Sequence, residues 1–584
     1  MGRQREALLL AAVLCGVLAP VTGPGLLLLA AGAAALWRLL GGRWGVVALL
    51  GLFLLSGVLT DRAWEGTAHP VSGPVDGVLR LLTDPRPLPG GGHRAEVRLE
   101  GHRYDAEFPA TVEVGGLLAG EGLEVRGRLD GDPWRWQRIR HVGGTLEVFA
   151  VGEALPAGPV HRLANALRRT LARGAASLPP EQAALLTGLV LGDDRAQDAR
   201  TADDFRAAGL GHLLAVSGQN VALVVAAASP LLHRLRFRSR LPATVLVLAF
   251  FALVTRFEPS VLRATVMAGG SALAAARGRE SEGLRLLCVS VAGLLLVDPL
   301  LVHRAAFQLS VSACAGILLG ASRLSSLLPG PRPLREAASV TLAAQAAVAP
   351  ILLLLFGPVP VAAFPANLLA APVAGPVMVW GITGGLAAGV LGPPVDALLH
   401  LPTSLGLGWI GGLAAWAGRH PIGLLGGVGA LAASALVALA AGGAHRDRPS
   451  AGRVALGGLA MILLGTAVAT LVHDPGRGAA GGLRLLDSVG RVVVVDRSGG
   501  AERLLADLRQ AGVHAPMLLV FREPVATEVA EALRGRYPGV ELWGPPNSDG
   551  VGTPPAGTVL EVDGDRWTLD HPAGHLRVRR LAPP

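Results

Sequence analysis

The sequence contains no lysine and only three cysteines among its 584 residues. Without lysine the chain cannot form the phosphate-binding loop G-x-x-x-x-G-K-S/T of ATP-driven motors, so any transport it supports takes its energy from another protein. Cys15, Cys288 and Cys314 all lie in apolar runs. This placement excludes a disulfide framework and indicates no thiolate metal site, and we expect no cofactor.

Charged residues are also scarce. They make up 16% of the chain, whereas hydrophobic residues make up 51% and the mean hydropathy is +0.48. These values exclude an ordinary soluble globular protein and predict a polytopic α-helical membrane protein. Its length leaves room for one or two soluble domains beside the membrane part.

The net charge of +9 and the pI of 10.8 would suit a nucleic-acid-binding protein, but the charge is unevenly placed. Residues 71–155 hold 10 Arg against 13 acidic residues, and residues 473–584 hold 13 Arg against 14. The surplus therefore belongs to the membrane region, where the bias towards positive cytoplasmic loops explains it without DNA.

Three apolar runs open the chain, near residues 7–22, 24–40 and 44–60. Each is close to the ~20 residues that cross a bilayer, so residues 1–60 are predicted to be N-terminal transmembrane helices, with the first run retained as a span. Arginines before the first run and between the second and third place those sites in the cytoplasm and residue 60 outside.

Two segments of different character follow. Residues 71–155 alternate polar and apolar residues in short stretches separated by Gly, Pro and Asp. They predict a small exterior β-barrel of about five strands. Residues 160–178 predict an amphipathic helix along the membrane surface. Its arginines lie mostly on one face: Arg162, Arg168, Arg169 and Arg173.

Residues 181–472 are predicted to form the main membrane domain. Arginine-rich loops near 234–240, 277–285, 323–335 and 446–453 can all be cytoplasmic in one threading. Apolar runs lie between them, near 241–257, 259–276, 284–302, 306–320 and 454–472. Between 337 and 443 we expect prolines to break the runs into unequal pieces: Pro350, Pro358, Pro360, Pro365, Pro372 and Pro376. The whole chain is predicted to cross the bilayer roughly 13 times.

Residues 483–584 are soluble in character. RVVVVD and APMLLVF read as buried strands, while a helix ending at Gly512 and a second helix, VATEVAEALRGR, alternate with them. The order β, α, β, α, β predicts an α/β domain.

A polar cluster interrupts the apolar run that begins at residue 205. Ser217, Gln219 and Asn220 stand near one end of a membrane-length segment. Polar groups are costly in hydrocarbon unless protein or water satisfies them, so the cluster indicates a lined cavity or path. The alternative is that these side chains join neighbouring helices by hydrogen bonds. Arg263 is a second intramembrane polar group, either functional or paired with Glu258 or Asp193.

Six motifs in order give the chain a resemblance to the ComEC family of competence proteins. They are LVLGDD, FRAAGLGHLLAVSGQN, EPSVLRA, DPLLVHRAAFQLS, TLAAQ, and FG followed by ANLLAAP. The resemblance implies a multi-pass channel of the bacterial inner membrane that imports single-stranded DNA, with an exterior OB-fold. It also implies an extracytoplasmic DNA receptor and a cytoplasmic motor as partners. Family members more often carry Leu-His where this chain has Gln219 and Asn220, which puts a role for an imidazole there in doubt.

Mapped onto this chain, the motifs and the polar breaks nominate ten channel-lining candidates. These are Asp193, Ser217, Gln219, Asn220, Ser260, Arg263, Gln308, Ser310, Gln345 and Asn367. The amides could hydrogen-bond passing phosphates and sugars, or simply hold helices together. For Asp193, a place at the mouth or a helix cap is an equal alternative.

The barrel segment supplies DNA-binding candidates in which arginine and tryptophan alternate: Arg126, Arg128, Trp134, Arg135, Trp136, Arg138 and Arg140. Guanidinium groups on phosphate and indoles under bases are the means of single-strand binding. The alternative is that both tryptophans anchor the barrel at the lipid headgroups.

The resemblance further implies that residues 483–584 form a metallo-β-lactamase-like domain, but its metal ligands are missing. Where the family needs His-x-His-x-Asp-His, this chain has Arg522, Pro524, Ala526 and Thr527. Arginine and alanine cannot ligate zinc, so we expect a degenerate domain without nuclease activity, although Asp496 remains. A membrane-tethered nuclease with other ligands, drawn from His514, His571 and His575, is one alternative function. A small-solute transporter is another.

Overall fold

A computed structural model describes residues 43–67, 72–88, 91–420, 423–445, 482–486, 490–496, 500–511, 513, 516–562, 565–570 and 575–581, with residues 10, 13, 14 and 17. The predicted spans at 24–40 and 454–472, most of the span at 7–22, Cys15, His514 and His571 lie outside these residues. The third predicted span is a helix, α1 (Arg43–Glu65).

A closed five-stranded barrel follows, as the alternating pattern predicts. Its strands are β1 (Gly73–Leu81), β3 (His93–Leu99), β4 (His102–Phe108), β5 (Gly122–Asp130) and β6 (Thr145–Leu155), and a short β2 (Arg86–Pro87) pairs with β3. The pairing order β1-β5-β6-β4-β3 closes through β1 and β3, and only β4 and β6 run parallel. Alternate residues such as Leu79, Val97 and Leu129 fill the interior. This is an OB-like barrel.

A single helical turn, α2 (Arg135–Arg138), is inserted in the barrel before β6. Three short helices then connect the barrel to the membrane helices: α3 (Pro159–Ala175), α4 (Pro180–Leu191) and α5 (Ala199–Ala207). Helix α3 is the predicted amphipathic helix, with Arg162, Arg169 and Arg173 exposed. Arg168 differs from the other three arginines of the predicted surface helix, because its side chain points inward and is only 4% exposed.

The membrane domain is a succession of apolar helices. They are α6 (Gly218–Arg234), α7 (Phe237–Val254), α8 (Pro259–Ala276), α9 (Gly283–Val297), α10 (Ala305–Gly316), α11 (Ser322–Ser325), α12 (Arg332–Phe356), α13 (Ala363–Leu391), α14 (Val395–Arg419) and α15 (Gly427–His445). A π-helical turn, Ile317–Ala321, joins α10 to α11. Within the described residues, five helical stretches are long and apolar enough to cross a membrane: α7, α10 with α11, α12, α13 and α14.

The prolines between 337 and 443 were predicted to break the apolar runs, but several of them lie inside continuous helices. Pro350 lies inside α12, and Pro372 and Pro376 lie inside α13, which continues for 29 residues. Tightly packed membrane helices tolerate such prolines because neighbouring groups satisfy the freed carbonyls. Of the six prolines named in the sequence analysis, Pro358 and Pro360 fall in a connection, where β7 (Val359–Pro360) pairs with β8 (Leu424–Leu425).

The C-terminal domain has three layers. A sheet in the order β12-β11-β10-β9 is formed by β9 (Leu483–Leu485), β10 (Val492–Val495), β11 (Leu518–Phe521) and β12 (Glu541–Trp543), with β10, β11 and β12 parallel. Helices α16 (Ala501–Gln510) and α17 (Thr527–Arg536) pack on one face. An antiparallel sheet, β13 (Thr558–Val562), β14 (Asp565–Asp570) and β15 (Arg577–Arg580), covers the other. The predicted order β, α, β, α, β is present from β10 to β12.

The barrel attaches to one end of the membrane helices. Arg138 donates to the carbonyl of Trp64 at the end of α1 (3.1 Å), and His141 lies 2.8 Å from Asp298 after α9. The arginine-rich loops that begin at Arg234 and Arg277 lie at the opposite ends of α6 and α8. The attachment therefore agrees with the threading that charge predicts, in which the barrel faces away from those loops.

Candidate functional site

A large cavity runs between the membrane helices. Its volume is about 1990 Å³, and α6, α8, α10, α12 and α13 supply its walls. Along α12 the lining extends from Val340 to Phe356, which is roughly 24 Å at the rise of an α-helix. The cavity therefore covers most of the ~30 Å thickness of a hydrocarbon core.

Seven of the ten predicted lining residues lie on the wall of this one cavity. They are Ser217, Gln219, Ser260, Arg263, Ser310, Gln345 and Asn367. They come from five separate helices and one helix cap, so their convergence is a property of the fold. Asp193, Asn220 and Gln308 are not among its lining residues.

The start of α6 explains the split between Gln219 and Asn220. Ser217 has extended backbone and its hydroxyl donates to the Asn220 side-chain oxygen (3.0 Å), while the Asn220 amide donates to the carbonyl of Leu189 on α4 (2.8 Å). Asn220 is thus buried helix-joining structure, whereas the neighbouring Gln219 is exposed to the cavity.

The other amides divide in the same way. Gln308 donates to the carbonyl of Val302 (2.7 Å) and stabilises the turn before α10. Asn367 donates to Ala363 (2.7 Å) and Gly209 (3.2 Å), tying α13 to the segment before α6 while still facing the cavity. The Gln345 amide nitrogen is buried and has no partner among the described residues.

Arg263 sits on the wall with neutral neighbours. Its Nε donates to the Ser310 hydroxyl (2.9 Å), and its Nη1 lies 3.0 Å from the Met267 sulfur. Among the described residues no carboxylate lies within ion-pair distance, so the expected pairing with Glu258 or Asp193 does not form.

Asp193 belongs to a buried ion cluster where the barrel, α3 and the loop between α7 and α8 meet. Its carboxylate contacts Arg168 (2.9 Å) and Arg195 (2.7 Å), and Arg168 also contacts Asp84 (2.8 Å). Burial alone would raise the pKa of Asp193, but the hydrogen bonds and charges of Arg195 and Arg168 outweigh it and lower this pKa to about 2. Asp193 is therefore an ionised structural anchor, and Asp198 is the residue that caps α5.

The rim of the cavity is formed by both extramembrane domains. Pro87 and Leu88 of the barrel line it, as do residues of α16 and α17. The barrel and the C-terminal domain therefore lie on the same side of the membrane domain.

Sequence analysis missed the residues that hold the C-terminal domain at the rim. Asp203 and Asp204 of α5 are 1% and 5% exposed, and they pair with Arg509 of α16 and Arg536 of α17. Burial raises the pKa of Asp204 to about 6, against the opposing effect of Arg536. The adjacent pair of acids on a short helix was visible in the sequence, but its partners are some 300 residues away.

His212 is a second residue that was not singled out. It lies in the 3₁₀ turn Gly211–Leu213 and lines the cavity beside the start of α6. Its side chain is exposed to the cavity. The chain thus has an imidazole on this wall even though position 220 is asparagine.

The DNA-binding candidates of the barrel do not form one surface. Arg126 and Arg128 are exposed on β5, and Arg126 lies 3.5 Å from Asp76. Arg138 is held by Thr67 and Trp64, and Arg140 pairs with Glu96 (2.6 Å) and Asp105 (2.8 Å). These internal contacts occupy both guanidinium groups.

Trp134, Arg135 and Trp136 lie on or beside the short helix α2. Trp134 is 70% exposed and Trp136 is 46% exposed, and Arg140 stacks on Trp136 at 4.6 Å. Because the neighbouring Arg138 contacts the end of α1, both indoles sit close to the end of that predicted span. This position suits headgroup anchoring.

In the C-terminal domain, the strand-end carboxylate is neutralised by protein. Asp496 follows β10 and accepts a hydrogen bond from Arg522, which follows the parallel β11 (2.8 Å). A guanidinium therefore stands beside the one carboxylate that the family pattern retains. Within the described residues no group of three or more His, Cys, Asp or Glu side chains could hold a metal ion.

Comparisons with known proteins agree with the location of the cavity. Residues 189–448 match the family model described as Competence protein, and every membrane helix that lines the cavity falls in this range. ComE operon protein 3 of Bacillus subtilis (strain 168) is 30% identical over 251 residues, which is 41% of this chain and 30% of that protein. The uncharacterized protein YcaI of Escherichia coli (strain K12) is 23% identical over 223 residues, or 36% of this chain and 30% of that protein.

The chain thus matches about 30% of the length of each of these relatives. No solved structure matches it. The family match, the relative in Bacillus subtilis and the motifs in family order coincide on the membrane domain. Over residues 189–448 the chain is therefore similar to competence proteins of the ComEC family.

Proposed function

We propose that the chain is a multi-pass channel of the bacterial inner membrane through which single-stranded DNA enters the cell during competence. The observation that carries the proposal is the placement of seven polar candidates on the wall of one cavity within otherwise apolar helices. A buried polar lining costs free energy and persists where it meets water or a polar passenger. The match of residues 189–448 to the competence family model supports the role in DNA uptake.

The part of the cavity that lies along α12 is long enough to hold several nucleotides of one strand, since its lining extends over roughly 24 Å. At 3.4 Å per nucleotide, a B-like strand of this length carries about seven phosphates.

The chain itself would be passive, since it has no lysine for an ATP-binding loop. An extracytoplasmic DNA receptor would deliver the strand at the rim, and a cytoplasmic motor would pull it. The OB-like barrel and the C-terminal domain would both be extracytoplasmic, because they meet at the rim opposite the arginine-rich loops. The pairing of Asp496 with Arg522 supports a C-terminal domain that has lost nuclease activity and packs against the channel.

Labelled-DNA uptake in a transformable host tests the proposal. Deleting the gene should abolish cytoplasmic label while surface-bound label persists. Uptake that continues without the protein would refute the proposal and leave the small-solute transporter as the better reading. Cleavage of DNA by the purified protein with Mn²⁺ or Zn²⁺ would refute the loss of nuclease activity.

A pair of substitutions on α12 tests the cavity itself. Ala344 lines the cavity, whereas Leu354 on the same helix is 86% exposed and does not. Ala344→Trp fills the passage and should block uptake, and Leu354→Trp should not. Equal uptake by both variants at equal membrane abundance would show that the strand takes another route.

A further inference from the structure

Arg263 is a cation buried in the membrane domain. It is 7% exposed, and its guanidinium contacts the Ser310 hydroxyl, the Met267 sulfur and the Cys314 thiol. A hydroxyl, a thioether and a thiol are all neutral groups. A charge moved out of water is normally paired, and the described residues provide no carboxylate for it. An unpaired cation on a cavity wall calls for an anion in the cavity.

The guanidinium is aimed at the first turn of α6. A Cβ atom placed on Gly218 would lie 2.5 Å from the Arg263 Nη2 atom, so only glycine lets the group lie against the backbone here. The amides of Gly218 and Gln219 are the first two of the helix and have no partner within it. Ser217 does not cap them, because its hydroxyl donates to Asn220.

These donors converge from three helices. The Arg263 guanidinium comes from α8, the first-turn amides come from α6 and the Ser310 hydroxyl comes from α10, and all of these residues line the cavity. A helix amino terminus carries partial positive charge and presents N–H groups to anions. Arginine adds a planar fork of donors that matches two oxygens of one phosphate. Together they match a tetrahedral monoanion better than a base or a sugar.

We propose that Arg263, the amides of Gly218 and Gln219, and Ser310 form a binding subsite for one phosphodiester group of the passing strand. The inference rests on the proposed function and adds to it the part of the substrate that is recognised. A backbone phosphate is common to every nucleotide, so the subsite holds the strand in the channel without selecting sequence. One site among about seven phosphates lets the strand step from one phosphate to the next.

Cys314 provides a native reporter for this subsite. Its thiol lies beside the Arg263 guanidinium and lines the cavity, whereas Cys288 on α9 is buried at 7% exposure and is not among the residues that line the cavity. Trypsin separates the two, because Arg285, Arg304 and Arg323 flank them. Alkylation of the purified full chain with a small neutral maleimide, read by mass spectrometry, therefore reports cavity access at Cys314 and correct folding at Cys288.

The probes are a 12-nucleotide thymidine oligomer with phosphodiester links and the same oligomer with uncharged methylphosphonate links. The variants are Arg263→Gln, Arg263→Lys and the matched control Arg277→Gln, which changes an exposed arginine just after the same helix. The phosphodiester oligomer should protect Cys314 in the unaltered protein and in R277Q. Hydrogen bonds to a charged group contribute about 1.5–3 kcal/mol, so R263Q should need about tenfold more oligomer or higher. R263K, which keeps the charge but loses the fork, should fall between them.

Two outcomes would overturn the inference separately from the channel. Equal protection in R263Q and in R277Q, or equal protection by both oligomers, means that the strand enters the cavity but Arg263 does not hold its phosphate. Protection by neither oligomer in any variant refutes the proposed function as well. If Cys288 is alkylated in R263Q, that variant has misfolded. The inference is then tested by comparing the oligomer concentrations that protect Cys314 in R263K and in R277Q.

Discussion

The buried ion cluster at the base of the barrel offers a sharp test of how this protein is held together. Arg168, at 4% exposure, bridges Asp84 of the barrel (2.8 Å) and Asp193 of the membrane domain (2.9 Å), and it donates to the carbonyl of Val254 (2.9 Å). One guanidinium therefore joins three parts of the chain. Arg169, the next residue, is 51% exposed and pairs with Glu121 (2.7 Å) at the surface.

Replacing Arg168 or Arg169 by glutamine should lower the free energy of unfolding by very different amounts. Removing one partner of a buried ion pair costs about 3–5 kcal/mol, whereas an exposed pair contributes about 0–1 kcal/mol. After Arg168→Gln, Arg195 still contacts Asp193 and Arg256 still contacts Asp84 (2.7 Å), so we take the lower value, about 3 kcal/mol. At about 2–4 °C per kcal/mol for a domain of 150–250 residues, the thermal midpoint should fall by at least about 6 °C.

The assay is thermal unfolding of the protein in detergent, followed by tryptophan fluorescence, with Arg169→Gln as the matched control. R169Q should shift the midpoint by no more than about 4 °C, given its cost of about 0–1 kcal/mol. Equal midpoints for R168Q and R169Q would refute the assignment of Arg168 to a buried junction. The double variant R168Q with D193N should lose less than the sum of the two single losses, since both substitutions break the same contact between Arg168 and Asp193.

Three further outcomes follow from the same structure. The pKa of Asp193 is lowered to about 2 from 3.8, so its ionised form contributes about 2 kcal/mol to the free energy of unfolding. This contribution is complete above about pH 4 and is lost as the pH falls towards 2. Thermal midpoints measured from pH 5 to pH 2 should show this loss in the unaltered protein and not in D193N. Arg536→Gln breaks a buried contact between α17 and α5, so hydrogen exchange in α5 should quicken, whereas Arg534→Gln, at an exposed site, should leave it unchanged; unchanged exchange in both would show that these ion pairs do not hold the C-terminal domain. Asn220→Ala should cost about 1–3 kcal/mol by leaving the carbonyl of Leu189 without its partner, while Gln219→Ala should leave the thermal midpoint unchanged and act, if at all, on uptake; the reverse order would contradict the division between these two neighbours.

Much of the fold was predictable because its signals are local. The apolar runs near 241–257, 259–276, 284–302 and 306–320 are all helical, and the alternating segment at 71–155 is a barrel. Hydropathy and periodicity report directly on these elements, since each must bury its own backbone groups. The prediction for the prolines was wrong because the tolerance of Pro350 or Pro372 depends on which neighbours pack against the helix.

The candidate site was predictable in kind and only partly in detail. Polar side chains in apolar runs indicated a lined cavity, and most of them do line one. Adjacent residues nevertheless differ, as Gln219 and Asn220 show, because the wall and the buried side of a helix are only about 100° of rotation apart. Charge partners were less predictable still: Arg263 has no carboxylate, while Arg168 has two.

The sequence by itself determined that this is a membrane protein with a β-barrel and an α/β domain, and that it carries polar groups where lipid would exclude them. Only the tertiary structure decided which of those groups share one cavity, which are joined to neighbouring helices, and which cation is left without an anion. Composition and periodicity depend on residues close together in the chain. A cavity wall is made of residues from helices more than 100 positions apart, and only their packing in space brings them together.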